Sequence, residues 1–210
     1  MVRGTFSPAR AWRPAVVTRL ARTLGFTHHP MRSAIALLFA IACTSVFAAW
    51  VDRRGEHLPD TPYRRSNGDF VAQMVFVEDE QELFTTWSKP SESVNVRDID
   101  SISINSPINT FIVFGGCRPD ARGNCSVVMR FRVIGPDGKV YSETPAMEVW
   151  HEKRLPPNRS LQLSVDYLKV IIEPHEQRGK YVVNTEVRDN IAGTSLRLQK
   201  AFTAVERAAK

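Results

Sequence analysis

The residues that could carry chemistry in this chain are few. They are the pair Cys117 and Cys125, the run Glu173-Pro174-His175-Glu176, His151-Glu152, the carboxylates Glu78, Asp79 and Glu80, and Ser106 ahead of Pro107. Seven residues separate the two cysteines, so the two-residue spacing of a redox couple is absent, and zinc would need two further ligands that no nearby His or Cys pair supplies. A metal at Glu173, His175 and Glu176, completed by His151, needs donors that converge, whereas side chains on a turn containing Pro174 tend to diverge into water. That set defines the one hydrolase or metal-binding alternative. No serine sits on a glycine-flanked elbow between strand and helix, and Gly115-Gly116 is followed by Cys and Arg-Pro rather than by a helix start. Glu78, Asp79 and Glu80 open a short helix, where capping and the helix dipole account for them. The expectation is a protein that is not an enzyme and holds no cofactor and no metal.

The elements that position these residues read as strands. Phe111 to Ile134 contains two runs rich in Val, Ile and Phe around a loop dense in Gly, Pro, Asp and Asn, with a cysteine at each mouth, which predicts a hairpin with its own staple. On the second run Val127, Met129, Phe131 and Val133 share one face, and Ser126, Arg130 and Arg132 the other. Ahead of it, Phe70 to Val77 is almost continuously apolar, as for a strand covered on both faces. Asp79 to Trp87 changes period and predicts a helix capped by Asp79, with Leu83, Phe84 and Trp87 on its apolar face and Pro90 beyond its end. Alternation returns at Leu161 to Tyr167, at Tyr181 to Val187 and at Leu196 to Phe202, while Glu143 to Arg159 reads as irregular. Many short strands, one helix and intervening turns predict an all-β fold, an antiparallel β-sandwich.

Charge is unevenly placed. The formal charge is +6, yet six of the 28 bases precede Ala48 with no acid among them, which leaves 22 bases against 22 acids in the rest. The body is neutral, so a phosphate-binding surface loses its main support and no nucleic-acid partner is expected. Within that basic stretch, Ser33 to Val46 is apolar, follows Arg32, and leads to a small-residue site at Ala48. Residues 1–48 are therefore predicted to be a signal peptide, with a true start at Met31 as one option. The apolar run is short of the roughly 20 residues of a spanning helix. Membrane contact is expected only through an uncleaved leader or a lipidated Cys43, whose preceding residues lack the usual Leu. Residues 49–69 are predicted to be an extended N-terminal arm and residues 70–206 the β-sandwich domain.

Once the leader is removed, Cys117 and Cys125 are an even pair in an exported chain, and such a pair forms a disulfide because oxidising compartments preserve it. Closing this loop would stabilise the fold by about 2.5 kcal/mol. The exported protein would be periplasmic or secreted, or membrane-anchored if the leader stays.

Gly179-Lys180-Tyr181, then Val183, Thr185 and Val187, then Leu196, Leu198 and Phe202, resemble the last two strands of bacterial immunoglobulin-like modules. The resemblance places Tyr181 at a tyrosine corner and implies an immunoglobulin-like sandwich, with the cysteines inside one hairpin rather than bridging two sheets. From Phe70 on, the chain also resembles a group of uncharacterised small exported bacterial proteins, on Phe84, Trp87, Pro90, the cysteine loop and Leu161 to Val165; that resemblance implies no activity. The function expected is a non-catalytic binding or structural module of the cell envelope, with another envelope protein as partner. Its candidate interaction surface is Arg118, Asp120 and Arg122 on the stapled loop together with Trp150 and His151. The remaining alternative is an accessory subunit or chaperone that pairs an edge strand with its partner.

Overall fold

The structure, a computed structural model, describes residues 50, 51, 54, 56–88, 96–154 and 160–206. The expectations for Met31, Ala48 and Cys43, and for Pro90, concern positions outside these residues. Among the described residues, no helix is long and apolar enough to cross a membrane.

Among the described residues eleven strands form two sheets. The first has the order β1 (Arg64–Asn67), β2 (Phe70–Val77), β4 (Pro107–Gly115), β8 (Gln162–Leu163), with β9 (Leu168–Ile171) also on β4. The second has the order β3 (Ser101–Ser103), β11 (Thr194–Val205), β10 (Gly179–Asp189), β5 (Asn124–Ile134), β6 (Val140–Glu143), with β7 (Met147–Arg154) also on β5. All pairs are antiparallel except β3 with β11. The sequence β2-β4-β9 facing β5-β10-β11 is the A-B-E and C-F-G arrangement of an immunoglobulin-like sandwich. Its tyrosine corner is present: the Tyr181 hydroxyl donates to the Gln177 carbonyl at 2.6 Å, and the Tyr181 ring stacks on Phe202.

Burial explains which strand goes where. In β5, β10 and β11 inward residues alternate with wet ones, so each covers the core with one face only. In β2 and β4 nearly every residue is buried, because their outer face has a cover of its own. That cover is α1 (Glu80–Trp87), capped by Asp79, whose carboxylate accepts from the Gln81 and Glu82 N–H groups. Leu83 and Phe84 lie over Phe111, and Trp50 closes the same apolar cluster.

Four expectations change. First, β4 and β5 are not a hairpin; β4 belongs to one sheet and β5 to the other, and residues 116–123 carry the chain across the gap of about 10 Å between layers. A strand covered on both faces and a strand wet on one face belong in different layers. The cysteines therefore link the layers instead of the arms of one hairpin. Second, the arm expected at 49–69 is folded in: Arg64–Asn67 is the edge strand β1, and Trp50, only 7% exposed, donates its indole N–H to the Arg65 carbonyl. Third, the irregular segment after Glu143 contains β7, bent by register shifts against β5. Fourth, the Leu161 to Tyr167 alternation is broken, because the Ser164 hydroxyl accepts from the Ile112 N–H, leaving Leu161 41% and Val165 45% exposed.

At the open side of the sandwich the inward alternation of β11 reaches Lys200. Its ammonium is paired with Asp98 and lies 4.7 Å from the Phe76 ring and 5.3 Å from the Tyr63 ring. Asp98 also accepts from the Phe76 N–H at 2.8 Å, so one carboxylate ties β2 to β11.

Candidate functional site

The end of the sandwich where β4 passes to β5 is built around two aspartates. Gly116 turns the chain with φ +68, and a Cβ there would sit 1.7 Å from the Asp69 carbonyl oxygen, so only glycine passes. Cys117 and Cys125 follow, both buried and joined as a disulfide with Cα atoms 6.1 Å apart. Asp189, fully buried at the end of β10, accepts from the Arg118 N–H at 2.7 Å with one oxygen and from the Ile191 and Ala192 N–H groups at 2.9 and 3.1 Å with the other. One carboxylate thus fixes both the stapled loop and the β10–β11 turn. Asp120 does the same within the loop, accepting from the Arg122 and Asn124 N–H groups at 2.8 Å each. Those bonds, the one from Asn124 first, hold its carboxyl below the usual carboxylate range.

Because both acids are turned to backbone N–H groups, the exposed Arg118 and Arg122 guanidiniums close no ion pair among the described residues. The end of β7 joins them, Arg154 standing opposite Asn124. Trp150 and His151, expected to extend this surface as a pair, point to different sides of β7. Trp150 packs edge-on against Phe114 at 5.7 Å, beneath the Lys153 ammonium, and serves the core. His151 lies on the outer surface opposite Ser126, 3.7 Å from Glu152.

The alternative set does not assemble. His151 is beside Ser126 near the start of β5, whereas Glu176 sits with Tyr141, next to the strand's far end at Ile134. Eight residues of strand put these sites about 25 Å apart. Glu176 is occupied in any case, accepting from the Tyr141 hydroxyl at 3.0 Å and from the Glu173 N–H at 2.7 Å. His175 and Glu173 are 3.4 Å apart on the exposed turn. Among the described residues no three His, Cys, Asp or Glu side chains are grouped to hold a metal. Burial, then the bond to Glu176, keeps the Tyr141 hydroxyl well above the usual tyrosine range, and burial raises Tyr181 as well.

Two concave surfaces escaped the sequence reading. One, of about 640 Å³, lies between α1 and residues 96–99, where Glu80 is bonded to Lys169 at 2.7 Å. The other, of about 750 Å³, crosses the outer face of the second sheet and is lined by Arg65, Arg130, Arg132, Glu186 and Arg197 among others. Its signal was present in the polar positions of β5, β10 and β11, which bring these charges side by side once the strand order is known. Strand edges offer little room for a donated strand: β1 has four residues and β3 three, β7 is engaged by the Val165 and Asp166 N–H groups, and the edge of β11 is interrupted where the Gln199 N–H bonds the Pro62 carbonyl.

No family model matches the chain, and no curated relative matches it. Among solved structures it is similar to an immunoglobulin-like protein of Pseudomonas aeruginosa, at 14% identity and a TM-score of 0.30, covering 63% of this chain and 91% of that one. It is also similar to the CARDB domain of a Pyrococcus furiosus protein solved with di-metal ions, at 14% identity and a TM-score of 0.30, covering 50% and 80%. A family 123 glycoside hydrolase from Clostridium perfringens, at 12% identity and a TM-score of 0.34, is covered over 28% of its length by 65% of this chain, so the chain spans about a quarter of that enzyme. The class that strand order and tyrosine corner define is an immunoglobulin-like β-sandwich with a disulfide between its layers.

Proposed function

We propose that this chain is an exported protein of the cell envelope that acts, without catalysis, as a binding or structural module through its stapled loop end. The observation that carries this reading is Asp189, a buried carboxylate that pre-orders the loop and the neighbouring turn through backbone N–H groups and so leaves the exposed Arg118 and Arg122 side chains facing outward for a partner. A loop ordered before contact loses less conformational entropy on binding. The disulfide and the apolar segment in the basic leader support export, and the partner that fits is another envelope protein with an acidic contact surface.

The test is a pull-down from envelope extracts with the wild-type protein and the Arg118→Glu/Arg122→Glu variant. A partner captured by the first and lost from the second supports the reading; identical captured sets overturn it. Cell fractionation that leaves the protein in the cytoplasm with both thiols free would overturn export.

A further inference from the structure

Across the outer face of the second sheet, side chains line up in rows perpendicular to the strands. The register sets Arg130 of β5, Glu186 of β10 and Arg197 of β11 directly opposite one another, and two residues along it sets Arg132, Asn184 and Gln199 opposite one another on the same face. The second row is closed on itself. Gln199 donates its amide N–H to the Asn184 side-chain carbonyl at 2.8 Å, and Arg132 pairs with Glu143 of β6. The first row is open: among the described residues neither Arg130 nor Arg197 closes an ion pair, although Glu186 stands between them. Arg65, on β1, lines the same trough and continues it past β11.

We propose that this open row binds an acidic polysaccharide in which charged and neutral sugars alternate. Two inter-strand steps place Arg130 and Arg197 about 10 Å apart at their Cα atoms. An extended peptide laid along the row presents same-face side chains about every 7 Å and falls out of step with that spacing. A linked pyranose chain advances by roughly one strand spacing per sugar, so the carboxylates of every second sugar meet Arg130 and Arg197 in turn. Guanidinium planes pair with carboxylates through two parallel N–H bonds. Glu186 then faces the neutral sugar and accepts from its hydroxyls. The same glutamate repels a polymer charged at every residue, including a phosphate backbone, which gives the row selectivity as well as attraction. The trough lies on a sheet face and the stapled loop at the sandwich end, so this proposal goes beyond the loop-end reading and does not depend on it.

The experiment measures binding of the full-length protein to immobilised hyaluronan, which carries one uronate per disaccharide, against polygalacturonate, dextran and poly-glutamate, at low and high salt. Hyaluronan is expected to be bound in preference to the other three, more weakly at high salt. Arg130→Ala and Arg197→Ala should each weaken binding at least about tenfold, while Arg118→Glu/Arg122→Glu, at the sandwich end, leave it near the wild-type value. Glu186→Gln should raise affinity for polygalacturonate and so narrow the preference. All substituted side chains are exposed, and unchanged denaturation midpoints establish that the variants fold. Polygalacturonate or poly-glutamate bound by the wild type as tightly as hyaluronan would overturn the proposal, the latter pointing to an acidic protein instead. Absence of hyaluronan binding, or indifference to loss of Arg130 and Arg197, would overturn it as well.

Discussion

The two ends of the sandwich use their acids differently. At the stapled end Asp120 and Asp189 accept from backbone N–H groups, so the chain itself is fixed and the arginines beside it are left over. At the opposite end cations and a phenol take a larger share: Glu80 is paired with Lys169, Glu206 with Arg178 and Asp137 with Lys139, while Glu176 accepts from Tyr141 as well as from the Glu173 N–H. Exposed ion pairs between long side chains add little stability, whereas a buried carboxylate facing several N–H groups adds much. The difference teaches that the first end is rigid with charge to spare, and the second is electrically settled but softer.

Substitutions can break that contrast. Asp189→Ala, which strands three backbone donors, should cost about 3 kcal/mol in urea unfolding and speed hydrogen exchange at Arg118, Ile191 and Ala192. Replacing both Cys117 and Cys125 by Ser should cost about 2.5 kcal/mol in the same assay. At the opposite end, Tyr181→Phe, which removes the bond to Gln177, should cost about 1.5 kcal/mol. If that loss equals or exceeds the loss at Asp189, the two ends are alike in stiffness and the contrast fails.

Titration sharpens it. The Tyr141 and Tyr181 hydroxyls lie above the usual value of 10, so the stability they contribute is fully present below pH 10 and is lost as pH rises through the raised values. Tyr141→Phe should make the alkaline fall in denaturation midpoint shallower. The smallest effect is expected at Glu80. Its carboxyl is lowered from 4.5, chiefly by the Lys169 hydrogen bond, so its contribution is present above that pH and lost as pH falls through the lowered value. Lys169→Met should reduce this acid-side dependence, while leaving that of Asp120 unchanged.

Much of the fold was legible because burial writes itself into local sequence. The alternation of Val127, Met129, Phe131 and Val133 located the core face of β5, and the Asp79 cap located α1. The pairing partner of a strand was not legible, since β4 and β5 are joined by a loop that suits a wide hairpin and a crossing between layers equally well. The same gap hid the site chemistry. Asp189 reads as one more acid before a turn, and only the fold brings it to the Arg118 N–H, which is 71 positions away in sequence. Trp150 and His151 looked like one surface because they are neighbours in sequence, yet a strand sends adjacent side chains to opposite sides. The row Arg130, Glu186 and Arg197 comes from three strands and has no contiguous motif.

Cys117 follows a strand of one layer and Cys125 stands near the start of a strand of the other, only eight positions along, so their sulfurs can meet before the layers close over the core. A loop this short closes far faster than two sheets assemble, so oxidation of the pair is open to the chain early and tethers the ends of β4 and β5 while the layers form. A molecule whose thiols an alkylating reagent has blocked must bring those two strand ends together without the tether.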